Sequence, residues 1–131
     1  MITIKKTSQG FTLFEIMIAI AILGGLMALF YPIIRNYQKR AAVQTADMTL
    51  TQLKTAINLY KTDTGQYPNS LQDLVRKPSA PKAAAKWVSE YATEELVEKP
   101  ELEYRRTPQG KHPYELDYII EGQEEPRSAW K

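Results

Sequence analysis

Glu15 is the residue whose surroundings demand a chemical explanation, because it is the single charge among residues 11–34, a run of 24 that is otherwise uncharged and mostly apolar. An ionised carboxylate in a membrane-spanning helix costs about 3 kcal/mol at the bilayer centre and less toward the edge. Two arrangements answer that cost: the carboxylate snorkels to the headgroups, or it meets a cation that neutralises it. The other titratable residues offer little reactive chemistry. The sequence holds no cysteine and one histidine, which removes disulfides, thiolate zinc sites, thiol catalysis and any His-based metal pair. His112, between Lys111 and Pro113, reads as an exposed loop residue with no catalytic partner. The pairs Glu94-Glu95 and Glu124-Glu125 read as solvated surface rather than as catalytic carboxylates, and Arg105-Arg106 as a solvated strand edge. No glycine-rich phosphate loop or repeat array is present, so no catalytic residue and no metal ligand is expected.

The element that must carry Glu15 is a helix of 24 residues, roughly 36 Å long and able to cross a hydrocarbon core of about 30 Å. A cleaved secretory signal fits poorly. The polar spacer Thr7-Ser8-Gln9-Gly10 separates Lys5 and Lys6 from the apolar run, and the small-x-small triplet Ala19-Ile20-Ala21 lies inside it. Basic residues flank both ends, with Arg35, Lys39 and Arg40 following the run, so charge counting alone does not orient it. Residues 41–131 hold 12 basic and 14 acidic groups and read as a water-facing portion. The whole chain, with 17 basic and 15 acidic residues, is one small domain in size and too nearly neutral for a general nucleic-acid binder.

Beyond the apolar run, Val43, Ala46, Leu50, Leu53, Ile57 and Tyr60 recur at intervals of three and four, which places them on one stripe of a helix packed against the protein's own head. Thr62-Asp63-Thr64-Gly65 supplies its stop, and one helix from Thr12 to Lys61 would be about 75 Å long. Gly24-Gly25 and Pro32 weaken it locally, as a membrane tolerates. In the head, Asn69 or Ser70 caps a short helix through Leu71, Leu74 and Val75. Residues 78–85 read as a loop or as the start of a marginal helix. Tyr114, Leu116, Tyr118 and Ile120 alternate with Glu115, Asp117, Ile119 and Glu121 as a half-buried strand, pairing with Leu102, Tyr104 and Arg106 across a turn that contains Pro108 and Gly110.

The stretch from Lys5 to Met17, Lys-Lys-Thr-Ser-Gln-Gly-Phe-Thr-Leu-Phe-Glu-Ile-Met, resembles the class III signal of type IV pilins and their relatives. That resemblance implies cleavage by a prepilin peptidase between Gly10 and Phe11, methylation of the new amine on Phe11, and neutralisation of that amine in a neighbouring subunit by Glu15. It also implies that Pro32 marks a kink or melted stretch in assembled filaments, to which the weak helix formers Gly24 and Gly25 would add. Tyr60-Lys61-Thr62-Asp63-Thr64-Gly65-Gln66-Tyr67-Pro68, followed by Leu71 to Pro78, is similar to a segment of the major pseudopilins of type II secretion systems. Type IV pilins proper commonly close a C-terminal loop with a disulfide, which a chain without cysteine cannot form.

These readings converge on an α+β chain. Residues 1–10 are a leader, 11–34 the membrane and filament-core half of a long helix, and 35–61 its amphipathic half. Residues 62–131 are a small head with a short helix and a two- to three-stranded antiparallel sheet. The resemblance implies a structural subunit of a pseudopilus that drives export of folded proteins, held single-pass in a bacterial inner membrane with its head in the periplasm before assembly. Implied partners are copies of itself in a helical filament, the prepilin peptidase, an inner-membrane assembly platform, minor pseudopilins and membrane lipid, with no nucleic acid. A type IV pilin or competence pseudopilin, and a single-pass tethered binding module, stay open as alternatives; an anchored enzyme trails. Calcium is usual in the family, but Glu121-Gly122-Gln123-Glu124-Glu125-Pro126 is short and lacks its Asp-rich pattern, so no cofactor is expected.

Overall fold

The computed structural model describes residues 10–130, and the basic and spacer residues from Lys5 to Gln9 lie outside them. The chain divides into two units, Met1–Lys39 and Arg40–Lys131. Helix α1, Leu13–Thr64, contributes to both and is therefore taken one unit at a time.

In the first unit, every described residue is exposed, including Leu13, Phe14, Met17, Met27 and Phe30. Apolar side chains on all sides of a helix, with none covered by the chain itself, require an apolar medium or other chains around them. α1 is the one helix among the described residues long and apolar enough to cross a membrane. The α-helical pattern continues through Gly24, Gly25 and Pro32, although the proline can donate no backbone hydrogen bond. At the end of the apolar run the Arg35 guanidinium lies 5.8 Å from the centroid of the Tyr31 ring, a pairing of cation and aromatic suited to a membrane boundary.

In the second unit α1 becomes one-sided, as the spacing of three and four predicts. Ala46, Thr49, Leu50, Leu53, Ala56, Ile57, Tyr60 and Thr64 are buried, while Met48 and Leu59 on the other side stay exposed. Val43, at the start of the stripe, is half-buried. The helix stops at Gly65, whose φ of +80° lies in the left-handed region. Nothing would crowd a Cβ there, so Gly65→Ala is expected to cost about 1 kcal/mol through backbone strain alone, measured by chemical denaturation of the detergent-solubilised chain. Gly65→Asn should cost less, because asparagine tolerates this region better.

Short elements then cover the stripe. The predicted helix at Leu71 is instead a single 3-10 turn, Leu71–Leu74, and the Asp73 carboxylate accepts from the backbone amides of Asn69 and Ser70 at 2.9 and 3.3 Å. That reach-back of an acidic side chain satisfies donors at the start of the turn. Residues 78–85 resolve in favour of helix. α2, Pro81–Lys86, opens on a proline whose missing N–H is not needed there, and buries Ala83. α3, Glu94–Val97, is a one-turn element that the sequence reading did not anticipate; it buries Val97.

The sheet has the order β1-β2-β3, with β1 Leu102–Arg106, β2 Tyr114–Tyr118 and β3 Arg127–Ser128, all antiparallel. The predicted hairpin forms, and its register sets Leu102 opposite Tyr118, Tyr104 opposite Leu116 and Arg106 opposite Tyr114. Tyr114 and Leu116 point inward and are buried, with Glu115 between them exposed. They join Leu50, Leu53, Ile57, Tyr60, Leu71, Leu74 and Val97 in one core. Ile120, beyond the strand, is also buried.

The core has a pH signature. Burial, with a smaller contribution from Tyr67, pushes the Tyr114 phenol up to about 12, and burial raises Tyr104 in the same direction. Below pH 10 both phenols are protonated in either state, so this stabilisation is complete. As pH rises from about 10 toward 12, the unfolded chain releases protons that the fold still holds, and stability falls. Thermal midpoints taken between pH 9 and 12 should therefore drop across this window. Tyr114→Phe should flatten the drop at little cost, since the Tyr114 hydroxyl is buried with no hydrogen-bond partner among the described residues.

Candidate functional site

The candidate site is the start of α1, where Gly10, Phe11, Thr12 and Glu15 follow one another. Gly10 and Phe11 are exposed and precede the helix, with Phe11 82% exposed, and a Cβ at Gly10 would meet nothing. Glu15 is bound locally. Its Oε2 accepts from the Thr12 backbone N–H at 2.9 Å and from the Thr12 hydroxyl at 3.1 Å, and the Glu15 N–H donates to Thr12 Oγ1 at 3.2 Å. These are the reciprocal bonds of a Thr-x-x-Glu capping box, which close orphan amides at a helix start. The carboxylate also sits in the first helical turn, where the helix dipole favours negative charge.

Glu15 thus has a role within one chain that the sequence reading missed, although the signal, threonine three residues before glutamate at the edge of an apolar run, was present. The capping contacts use a single oxygen and leave the side chain at the exposed edge of the helix, next to the backbone that would carry a new amine if the chain were cut after Gly10. A carboxylate bound through one oxygen can still accept a bond from a cation through the other. Gly24, Gly25 and Pro32 lie farther along the same exposed helix, away from the helix start.

The remaining singled-out residues belong to the packing of the head. His112 is half-buried rather than an exposed loop residue, and its ring stacks on Trp130 with centroids 4.2 Å apart and planes 5° from parallel. Pro113 and Tyr114 lead straight from it into β2, which is what brings the ring against the C-terminal tail. Glu94 pairs with Arg76, and the Arg106 guanidinium donates to Asn69 Oδ1 at 2.7 Å. Glu95 and Glu124 are exposed, consistent with their reading as solvated acids. A set that sequence reasoning did not single out, Asp47, Lys54, Arg127 and Trp130, gathers at the C-terminal tail; 80 positions separate Asp47 from Arg127, and no local pattern marks that distance.

Comparison with known proteins bears on both ends of the chain. The family described as type II secretion system (T2SS), protein G, matches residues 33–129, and the prokaryotic N-terminal methylation motif matches residues 5–31. The type II secretion system core protein G of Klebsiella michiganensis is 31% identical over 124 residues, 92% of this chain and 87% of that protein. Its counterpart in Dickeya chrysanthemi is 31% identical over 112 residues, 82% of this chain and 73% of its own length. The Aeromonas hydrophila protein of the same name is 38% identical over 79 residues, 58% and 55% of the two chains. No solved structure matches. A methylation motif around an exposed apolar helix start, continuous with a head matched almost to its last residue, places this chain in the protein G family of type II secretion systems.

Proposed function

We propose that the chain is a structural subunit of the pseudopilus, the envelope filament through which a type II secretion system exports folded proteins. The observation that carries this reading is the exposed apolar half of α1 with its one carboxylate, in a chain of the protein G family. Its function on this account is mechanical and not enzymatic. A prepilin peptidase hydrolyses the peptide bond between Gly10 and Phe11, and the amine of Phe11 is then methylated. Residues 11–34 hold the subunit single-pass in the inner membrane, surrounded by lipid, with the head in the periplasm. An assembly platform extracts subunits, minor pseudopilins begin the fibre, and copies of this chain extend it.

In the fibre the apolar half of α1 exchanges lipid for neighbouring helices, so Glu15 enters a surrounding that cannot solvate it. The Phe11 amine of a neighbour is the cation that answers it. Gly24 and Gly25 are poor helix formers and Pro32 can donate no backbone hydrogen bond, which supports local melting as subunits pack. The function is tested by deleting the gene from its own cell and comparing secreted proteins. The expected result is loss of a set of folded proteins from the medium, with surface fibres and DNA uptake unchanged. Unchanged secretion with lost fibres or lost uptake would move the chain to a type IV pilin or competence role.

A further inference from the structure

Calcium near the C-terminus is usual in the family that the sequence resembles, and the side chains there do not suit it. Calcium takes about six to eight oxygen ligands, several of them converging carboxylates. Among the described residues no group of three or more His, Cys, Asp or Glu is placed to hold a metal, and Glu121, Glu124 and Glu125 are exposed. What occupies the tail is positive charge from the protein itself.

The Arg127 guanidinium grips Asp47 of α1 with two bonds, Nε to Oδ1 at 2.7 Å and Nη2 to Oδ2 at 3.1 Å. Two turns along the same helix, Lys54 Nζ donates to the Ala129 carbonyl at 3.2 Å and stands 4.3 Å from the Trp130 ring centroid. The tail is also bound to the sheet. Arg127 and Ser128 pair with Tyr118 and Asp117, the Ala129 N–H donates to the Leu116 carbonyl at 2.9 Å, and Trp130 Nε1 donates to the Tyr114 carbonyl at 2.9 Å. His112 and Tyr114 pack on the same indole. The tail is thus held to α1 through two cations and to the sheet side through backbone and indole.

We propose that Arg127 and Lys54 replace a bound metal as the cations that close the C-terminal tail onto α1, making the head of this chain independent of calcium. An ordinary half-exposed ion pair contributes little, but a forked guanidinium to carboxylate contact has the geometry that does. A lysine over an indole adds attraction that needs no acidic partner. Because the latch is made of side chains, it forms with the fold and cannot be removed by a chelator. The proposal concerns the head alone and stands whether or not the chain is cut after Gly10.

The test uses the full chain in detergent, with thermal unfolding followed in calcium chloride and in excess EGTA. The melting temperature should be the same in both. A fall on chelation would overturn the proposal. In parallel, Asp47→Asn and Lys54→Met should each lower the melting temperature by about 4–8 °C. The exchange of charges in the double variant Asp47→Arg with Arg127→Asp should recover most of the loss seen in either single change. If the single variants melt as the parent does, or calcium raises the melting temperature of any of them, the latch is not what closes the tail. Should the variants fail to fold, the chelation arm on the parent chain still decides.

Discussion

Glu15→Gln is expected to leave the chain inserted, cut and folded, yet to abolish its assembly into filaments and the secretion that depends on them. The choice of glutamine separates two roles of one side chain. In the single chain Glu15 accepts from the backbone and hydroxyl of Thr12, and a glutamine oxygen can accept the same bonds. In the filament the proposed partner is the Phe11 amine of a neighbour, and a neutral amide cannot neutralise it. Leaving one member of a buried ion pair without its partner costs about 3–5 kcal/mol, more than a hundredfold in subunit association. Glu15→Ala should be no worse for assembly than Glu15→Gln, while losing the helix start as well. Cross-linked multimers and exported protein are the readouts, with membrane-fraction abundance as the control. If glutamine assembles normally and alanine does not, the cap is the whole role of Glu15 and the intersubunit pair is wrong.

Leu53→Ala is expected to be among the most damaging single truncations on the head side of α1. Leu53 has no exposed surface and lies in the same core as Ile57, Tyr60, Leu74 and Leu116. Removing its branched end loses transfer free energy and leaves a cavity that the flanking helix and sheet cannot fully close, a cost of about 2–5 kcal/mol. For a head of this size that lowers the melting temperature by about 10 °C or more. Met48→Ala on the same helix is the contrast: its side chain is 66% exposed, and its loss should change stability by about 0.5 kcal/mol or less. Circular dichroism of the detergent-solubilised chain measures both. Equal effects at Leu53 and Met48 would mean that the stripe of α1 does not face the head.

Local periodicity made much of this fold readable from residues alone. The stripe from Ala46 to Tyr60 follows the helical repeat over four turns, and Tyr114, Leu116 and Tyr118 follow the strand repeat, so each element announces which side it buries. Gly65 and the turn before Tyr114 fixed where those elements stop. The short elements were less legible. A four-residue 3-10 turn at Leu71 and a one-turn helix at Glu94 are too brief for a period to distinguish them from each other or from loop.

At the candidate site, Glu15 stood out because a charge in an apolar run has a local cost, and Gly10 and Phe11 only through the resemblance of the Lys5 to Met17 stretch to a class III signal, whereas the capping role of Glu15 emerged only with atomic distances to Thr12. The tail was hidden for a different reason. β3 has two residues, and its anchoring bonds to Asp47 and Lys54 join positions 80 and 75 apart. Such contacts depend on the whole head having folded, and nothing in the neighbouring residues encodes them. The reading of His112 as an exposed loop residue failed on the same ground, since Trp130 reaches it from 18 positions away.

The central claim is that this chain is a processed, filament-building subunit, and the mass of its N-terminus tests that most directly. Protein extracted from the membrane of its own cell, measured intact, should begin at Phe11 and carry one added methyl group. A chain that retains Met1 to Gly10 would contradict the account, leaving an ordinary membrane-tethered head with no free amine for Glu15 to meet.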